Sequence, residues 1–355
     1  MNVGIPVERK QGEGRVSLTP SAVVDLVVAG ATVFVESKAG MKSGYSDEQY
    51  ARAGANIVID QAALYKFSQF IVKVKEPLPE ELPYLTCKHV LFCYLHLAAN
   101  GHLFEAFTRI GNIAIAFESV ESAGGFPLLA PMSDIAGKVA IQLGMHYLMS
   151  VKGGLGILLE GGYGTPRANI VVIGGGVAGF SAASRAASIG ANVTVFDIKI
   201  NALKRARALG ANVTGLYSES QVVEEYVKNA DFVIGAVLVP GKKPPVVLPE
   251  SLLNKMKPGS VVIDIAIDQG GCVEGIKPTT HANPCYVKNG VQMLAVTNLP
   301  GAVPKTATQS LSGAILPYVR SIVESCGEGD DFDVHAIQKI EGLRDAVCAK
   351  SSHIE

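Results

Sequence analysis

The stretch "NIVVIGGGVAGFSAASRAASIGANVTVFD", Asn169 to Asp197, decides how this chain folds. A β-branched run, Ile170 to Ile173, leads into Gly174, Gly176 and Gly179, which stand in GxGxxG spacing at the head of an alanine-rich helical pattern. Glycines so placed permit a tight turn, close approach of backbone to a pyrophosphate, and close packing of helix on strand. The helix start adds free N–H groups and a positive dipole for phosphate. Val177 and Ala178 sit inside the same turn. A second β-branched run ends at Asp197, 23 residues beyond Gly174, the spacing at which an acid meets ribose hydroxyls. Strand, turn, helix and acid agree, so the stretch reads as a dinucleotide-binding unit. Asp197 would repel a 2′-phosphate and no arginine follows it immediately, which favours NAD over NADP. Lys199 and Lys204 leave residual NADP use open.

Working outward, "ANVTVFDI", "ADFVIGAV", "SVVIDIAI" and "VQMLAVTN" continue a strand–helix series. A first series precedes it: "MNVGIPV", "ATVFVES", "ANIVID", "FIVKVKEP", "HVLFCYLHL" and "IAIAFESV" are short, apolar or β-branched, and bounded by turn signals. Between its first two strands, Thr19 can cap a helix, Pro20 fits the first helical turn, and Gly30 can close it. Ser133 is the expected N-cap of a long helix that joins the two series. Such alternation implies parallel sheets. The expected fold is α/β: two doubly wound, Rossmann-like domains separated by a cleft, the second inserted into the first. Residues 129–300 form the NAD-binding domain, and 1–128 with 301–355 form the substrate domain.

Composition narrows the class. Apolar residues make up 48% and charged residues 18% of 355, a balance that suits sheets buried on both faces. The formal net charge is −1, and no basic block offers a nucleic-acid footprint. No apolar run approaches the ~20 residues that span a bilayer, and the first fifteen residues lack the apolar core of a secretory signal. The six cysteines show no CxxC spacing; a reducing, cytoplasmic setting is the simplest expectation.

"FIVKVKEP", Phe70 to Pro77, reads as a strand in which Ile71, Lys73 and Lys75 share one face. An unpaired buried ammonium is costly, so these lysines need partners or a ligand. His96 closes the run "HVLFCYLHL"; its pKa range suits it to proton transfer near neutrality. "VVIDIAIDQGG" reads as a strand with Asp264 deep in it and Asp268 at its carboxyl end, where ligands of such sheets sit.

Taken in order, "ERKQGEGRVSLTP", "VKVKEP", "YLHLAA", "PLLAPMSDIAG", "GAVLVPG", "DIAIDQGG" and "NLPGAVPKTAT" resemble alanine dehydrogenase from residue 1 to about 320. Several of these motifs are shared with the NAD-binding subunit of proton-translocating transhydrogenase, so Arg15, Lys75, His96 and Asp268 carry the specific weight. The resemblance implies NAD-dependent, reversible oxidative deamination of L-alanine to pyruvate and ammonium. It implies that Arg15 and Lys75 hold the substrate, Lys73 being a structural neighbour, and that His96 and Asp268 are the catalytic candidates. Ser133 would meet the cofactor phosphates, with Ser218, Val237 and Leu238 near the adenosine. Ile265, Ala266, Ile267 and Asp268, with Val296, Thr297, Asn298 and Leu299, would flank the nicotinamide. A homo-oligomer, hexamer or dimer, is also implied, with no membrane or nucleic-acid partner.

The sequence departs from the family in places. Ala202 stands where many relatives carry a basic residue, and Lys277 replaces an arginine found in some. Ser325 falls near a histidine thought to bind metal in some relatives, so no metal is expected. The segment after residue 324 resembles the family little. Three other readings stay open: a transhydrogenase hydride-transfer module, a non-catalytic NAD(H)-binding relative, and a dehydrogenase for another small amino or keto acid.

Overall fold

The computed structural model describes residues 1–97, 100–239, 243–326 and 332–349. They fall into two compact units, one within Met1–Met132 and Val303–Glu355, the other within Ser133–Ala302.

The first unit opens with β1 (Asn2–Ile5), α1 (Pro20–Val28), β2 (Thr32–Glu36), α2 (Asp47–Arg52) and β3 (Asn56–Val58). It continues through α3 (Gln61–Phe67), β4 (Phe70–Val72), β5 (Val90–Cys93), α4 (Gly101–Ile110) and β6 (Ile113–Ala116). Thr19 caps α1 by accepting from the Ala22 N–H at 3.3 Å, with Pro20 first in the helix. Strand β4 ends at Val72, short of the expected Lys75. Its pairing with β5 persists only as single backbone bonds, Lys73 N–H to the Phe92 carbonyl and Tyr94 N–H to that of Val74, each at 3.1 Å.

The second unit holds most of α5 (Ala130–Leu148), then β7 (Asn169–Ile173), α6 (Val177–Ile189), β8 (Asn192–Asp197) and α7 (Ile200–Arg207). There follow β9 (Val213–Tyr217), α8 (Ser220–Asn229), β10 (Phe232–Gly235), α9 (Glu250–Leu253), β11 (Val261–Asp264), β12 (Cys285–Lys288) and β13 (Val291–Leu294). Helix α5 starts three residues before the expected cap. Pro131, whose fixed φ and missing N–H suit a first turn, sets the start, and Ser133 lies inside that turn. The β12–β13 hairpin turns on Asn289 and Gly290, both at positive φ (53° and 80°), the pair favoured in two-residue turns.

The chain then returns to the first unit with α10 (Pro304–Cys326), α11 (Val334–Lys339) and β14 (Val347–Ala349). Helix α10 ties in early: Thr308 accepts from the Val16 N–H and Ser312 from the Thr19 N–H, each at 3.0 Å. No described helix is long and apolar enough to cross a membrane.

Each sheet has seven strands, in the orders β14-β6-β5-β4-β1-β2-β3 and β12-β13-β11-β10-β7-β8-β9. Only β14 and β12 run antiparallel to their neighbours. Both sheets are doubly wound as expected. The order reverses between β1 and β4 in the first and between β7 and β10 in the second, and ligands of such sheets bind beyond the strand carboxyl ends at that reversal.

Candidate active site

In the second unit, the reversal falls at the glycine turn. Gly174 adopts φ +104°, and a Cβ there would lie 2.6 Å from the Ala236 carbonyl oxygen and 3.0 Å from the Val237 nitrogen. A Cβ on Gly179 would lie 1.8 Å from the Gly174 carbonyl oxygen, so α6 packs directly on the turn. Gly176 is the opposite case. Nothing lies within 4 Å of a Cβ there, and as N-cap of α6 it brings no side chain to its first turn. The outer glycines serve packing, and the middle one leaves room for a ligand. Val177 is 43% exposed beside it and Ala178 is half-buried.

Asp197, at the end of β8, accepts from the Gly175 N–H at 2.6 Å and the Lys199 N–H at 2.7 Å. Arg205, on α7, grips the same glycine from the other side: its Nη2 donates to the Gly175 carbonyl at 2.9 Å, with the guanidinium over the Phe180 ring. No arginine follows Asp197 immediately in the sequence, but α7 brings Arg205 back to the glycine that Asp197 holds. The Ser218 N–H donates to the Asp197 carbonyl at 3.3 Å, while Val237 is half-buried and Leu238 41% exposed. Ser133 precedes Asp134, which accepts from the Ser181 hydroxyl at 2.6 Å; this seats α5 against the start of α6.

Strand β11 ends at Asp264, and Ile265–Gln269 form a 3-10 turn, so side-chain alternation does not reach Asp268. The turn has a cause. Fully buried Asp264 accepts from the N–H groups of Ala266, Cys272 and Val273 at 2.7–2.9 Å, folding the chain back on itself. Asp268 is exposed and accepts from the Asn298 N–H at 3.2 Å, bringing two candidate residues together. Asn298 has φ +58°, and its carbonyl accepts from His281. Ala266, Ile267, Val296 and Leu299 are buried, whereas Ile265 and Thr297 are half-buried. The four buried side chains read as packing.

In the first unit, Arg15 follows β1, Lys75 follows β4 and His96 follows β5, at the carboxyl ends of three adjacent parallel strands. Arg15 is buried, not a solvated loop residue. Its Nε and Nη2 donate to the two Glu13 oxygens at 2.8 and 2.6 Å, and Nη1 faces the Met132 sulfur. Lys73 is 1% exposed and lies 2.7 Å from Glu81 and 3.8 Å from Glu8. Burial alone would lower its pKa, but Glu8, Tyr65 and Glu81 hold it above the ordinary value, and it is a charged structural lysine. Lys75 and His96 are both half-buried. His96 has φ +50° and its ring stacks on that of Tyr94. Glu118, past β6, accepts from the N–H groups of Leu95 and His96. None of the glutamates 8, 13 or 118 could be singled out beforehand, because the signal is a fold-dependent meeting of distant segments.

Glu8 and Glu13 shift oppositely. Burial raises Glu8 to about 7 against the opposing pull of Lys73. Burial also pushes Glu13 up, but Arg15 and then Lys75 overcome it and hold Glu13 at about 2. Linkage fixes the signs. Glu13 contributes stability that is present above its unfolded value and lost as pH falls toward about 2. Glu8 contributes stability that is present below its unfolded value and lost as pH rises through about 7. Glu8→Gln should therefore flatten the decline in stability across that upper window, read by denaturant titration at several pH values; an unchanged slope would contradict the buried, raised carboxyl.

Comparison with known proteins agrees. The family described as "Alanine dehydrogenase/PNT, N-terminal domain" matches residues 4–136, and "Alanine dehydrogenase/PNT, C-terminal domain" matches 140–353. The alanine dehydrogenase of Halomonas elongata is 46% identical over 326 residues, 91% of this chain and 88% of its own. That of Bacillus subtilis is 44% identical over 324 residues, 91% of this chain and 85% of its own. A solved L-alanine dehydrogenase superposes with a TM-score of 0.92 at 43% identity, covering 99% of this chain and 96% of its own. A transhydrogenase from Sinorhizobium meliloti gives 0.81 at 26% identity, over 91% and 95%. With both of its domains matched by that family and close relatives spanning nine-tenths of its length, the chain belongs to the alanine dehydrogenase/PNT family.

Proposed function

We propose that this protein is an NAD-dependent L-alanine dehydrogenase that reversibly converts L-alanine to pyruvate and ammonium. The observation that carries the reading is the placement of Arg15, Lys75 and His96 beyond three adjacent strand ends in a family member. Residues 1–128 with 301–355 then form the substrate domain, and 129–300 the NAD-binding domain.

The dinucleotide fits the residues present: the open Gly176 and the uncapped start of α6 suit a pyrophosphate, and Asp197 suits ribose hydroxyls. Gly174, Val177, Ala178, Gly179 and Ser133 complete that wall, Ser218, Val237 and Leu238 the adenosine side, and the segments Ile265–Asp268 and 296–299 the nicotinamide side. When bound, the cofactor supplies a hydride acceptor.

Arg15 binds the substrate carboxylate, its guanidinium already oriented by Glu13. Lys75 binds the carboxylate or the keto oxygen. Once the α-hydrogen has left as hydride, the substrate is an iminium. His96 takes a proton from the water that attacks it and returns protons as ammonia departs; Asp268 is the second candidate for these transfers. Cytoplasmic location and assembly as a hexamer or dimer go with the proposal, and light scattering tests the assembly.

The test is NADH formation at 340 nm against a panel of L-amino acids, with pyruvate plus ammonium in reverse. Activity with alanine supports the reading. Silence across the panel with retained NADH binding would sink it in favour of a non-catalytic relative. A second outcome concerns the turn: Gly179→Ala drives a methyl into the Gly174 carbonyl, so NADH affinity by fluorescence should fall at least about tenfold, or 1.4 kcal/mol. Unchanged affinity would place the dinucleotide elsewhere.

A further inference from the structure

Two of the three side chains assigned to substrate chemistry in the first unit, His96 and Lys75, share an unusual form of support. His96 stands two residues beyond Tyr94, the last residue paired with the β4 segment, in the left-handed region at φ +50°. That conformation is costly for a residue with a Cβ and persists only where the surroundings impose it. One carboxylate holds the backbone there. Glu118 takes the Leu95 N–H at 3.1 Å on Oε2 and the His96 N–H on Oε1. The aligned Tyr94 ring, stacked at 6.0 Å, backs the imidazole.

The same device recurs one strand away. Lys75 follows β4 beyond a backbone bond to β5. Glu8, only 5% exposed, takes the Val74 N–H on Oε1 and the Lys75 N–H on Oε2 at 3.3 Å. In both places a glutamate from a neighbouring segment chelates two consecutive N–H groups just past a strand end, where ladder partners have run out. A backbone amide satisfied by a buried, fixed side-chain oxygen is held in one geometry, as one bonded to exchanging water is not. Each pair fixes the backbone from which one reacting side chain projects, and Lys73 keeps the Glu8 side of the device charge-compensated.

We propose that Glu118 and Glu8 are positioning residues for the reaction, Glu118 fixing His96 and Glu8 fixing Lys75 through paired backbone N–H bonds. This rests on the alanine dehydrogenase reading, because it assigns the two glutamates to different steps. Glu118 serves proton transfer and Glu8 serves substrate binding. Misplacing a catalytic group by about 1 Å can cost on the order of 10²-fold in rate.

The experiment compares Glu118→Ala, Glu118→Gln, Glu8→Ala and Glu8→Gln in steady-state assays with L-alanine, beside NADH affinity. Expected for Glu118→Ala is a kcat lower by about 10²-fold with KM for alanine nearly unchanged. Expected for Glu8→Ala is a KM raised about tenfold or more with a smaller change in kcat. Each Gln variant, which keeps one accepting oxygen, should recover part of the loss. NADH affinity should hold in all four. A purely structural role would lower active-enzyme concentration alone, and equal kcat and KM losses in both Ala variants would overturn the proposal. Histidine-selective NMR keeps the test independent of turnover. Glu118→Ala should shift the His96 imidazole signal, assigned by its loss in His96→Ala, and Glu8→Ala should not. If the wild-type protein lacks alanine turnover, the functional reading fails, and the NMR result alone decides whether Glu118 fixes His96; an unmoved signal rejects it.

Discussion

Replacing Lys73 by methionine is expected to destabilise the first unit by about 3–5 kcal/mol, the usual cost of removing one partner from a buried ionic group. The ammonium is 1% exposed, 2.7 Å from Glu81 and 3.8 Å from Glu8. Glu81 is itself fully buried, and its other contacts are Gln61 and the Leu78 N–H. Without Lys73, those remaining partners of Glu81 are neutral, and Glu8 loses the cation that most opposes its burial. The measurement is chemical denaturation of the first unit's transition. Lys73→Met combined with Glu81→Gln should recover part of the loss, because replacing both partners avoids a stranded charge. A single-variant cost below about 1 kcal/mol would mean that water reaches the cluster.

His96→Ala is expected to lower kcat by about 10²–10⁴-fold, the range supplied by a positioned acid–base group. NADH affinity should be unchanged, since the candidate dinucleotide residues all lie between Ser133 and Leu299 in the other unit. Single-turnover absorbance at 340 nm, together with NADH fluorescence titration, separates the two quantities. Normal turnover in the variant would move proton transfer to Asp268. Alanine at this position also relieves little backbone strain, because φ +50° penalises any Cβ, so loss of activity would report the imidazole.

Much of the fold was legible because its signals are local. The GxGxxG turn, the β-branched runs and the Thr19–Pro20 helix start each depend on a few consecutive residues, and the structure has them in place. Strand ends were less legible. Apolar alternation continues past β4 and β11 and carries the strand pattern to Lys75 and Asp268, but the Glu8 and Asp264 carboxyls bind the backbone N–H groups where it leaves the strand. Strand β9 is illegible in the sequence because its edge position leaves "VTGLY" half exposed and weakly patterned. Strand β12 was missed although Asn289–Gly290 marked its hairpin. On the site, the sequence offers the residues expected to touch ligands, and the structure adds the neighbours that hold them. Glu13 faces Arg15 two residues away, yet nothing in the spacing says that the guanidinium is buried. Arg205 returns to Gly175 from thirty residues downstream, a distance only α7 explains.

The bonds from Thr308 to Val16 and from Ser312 to Thr19 span 292 and 293 residues of chain. On the ribosome this imposes an order of events. The second unit is one continuous segment, Ser133–Ala302, and can close as soon as it has emerged. The first unit must wait with its earliest strands made but α10 not yet synthesised, for on the order of fifteen to sixty seconds at ~5–20 residues per second. During that interval the loop that carries Arg15 lacks the hydroxyls of Thr308 and Ser312 that later fix its backbone, so the nascent first unit is the stage at which chaperone capture or misassembly would act.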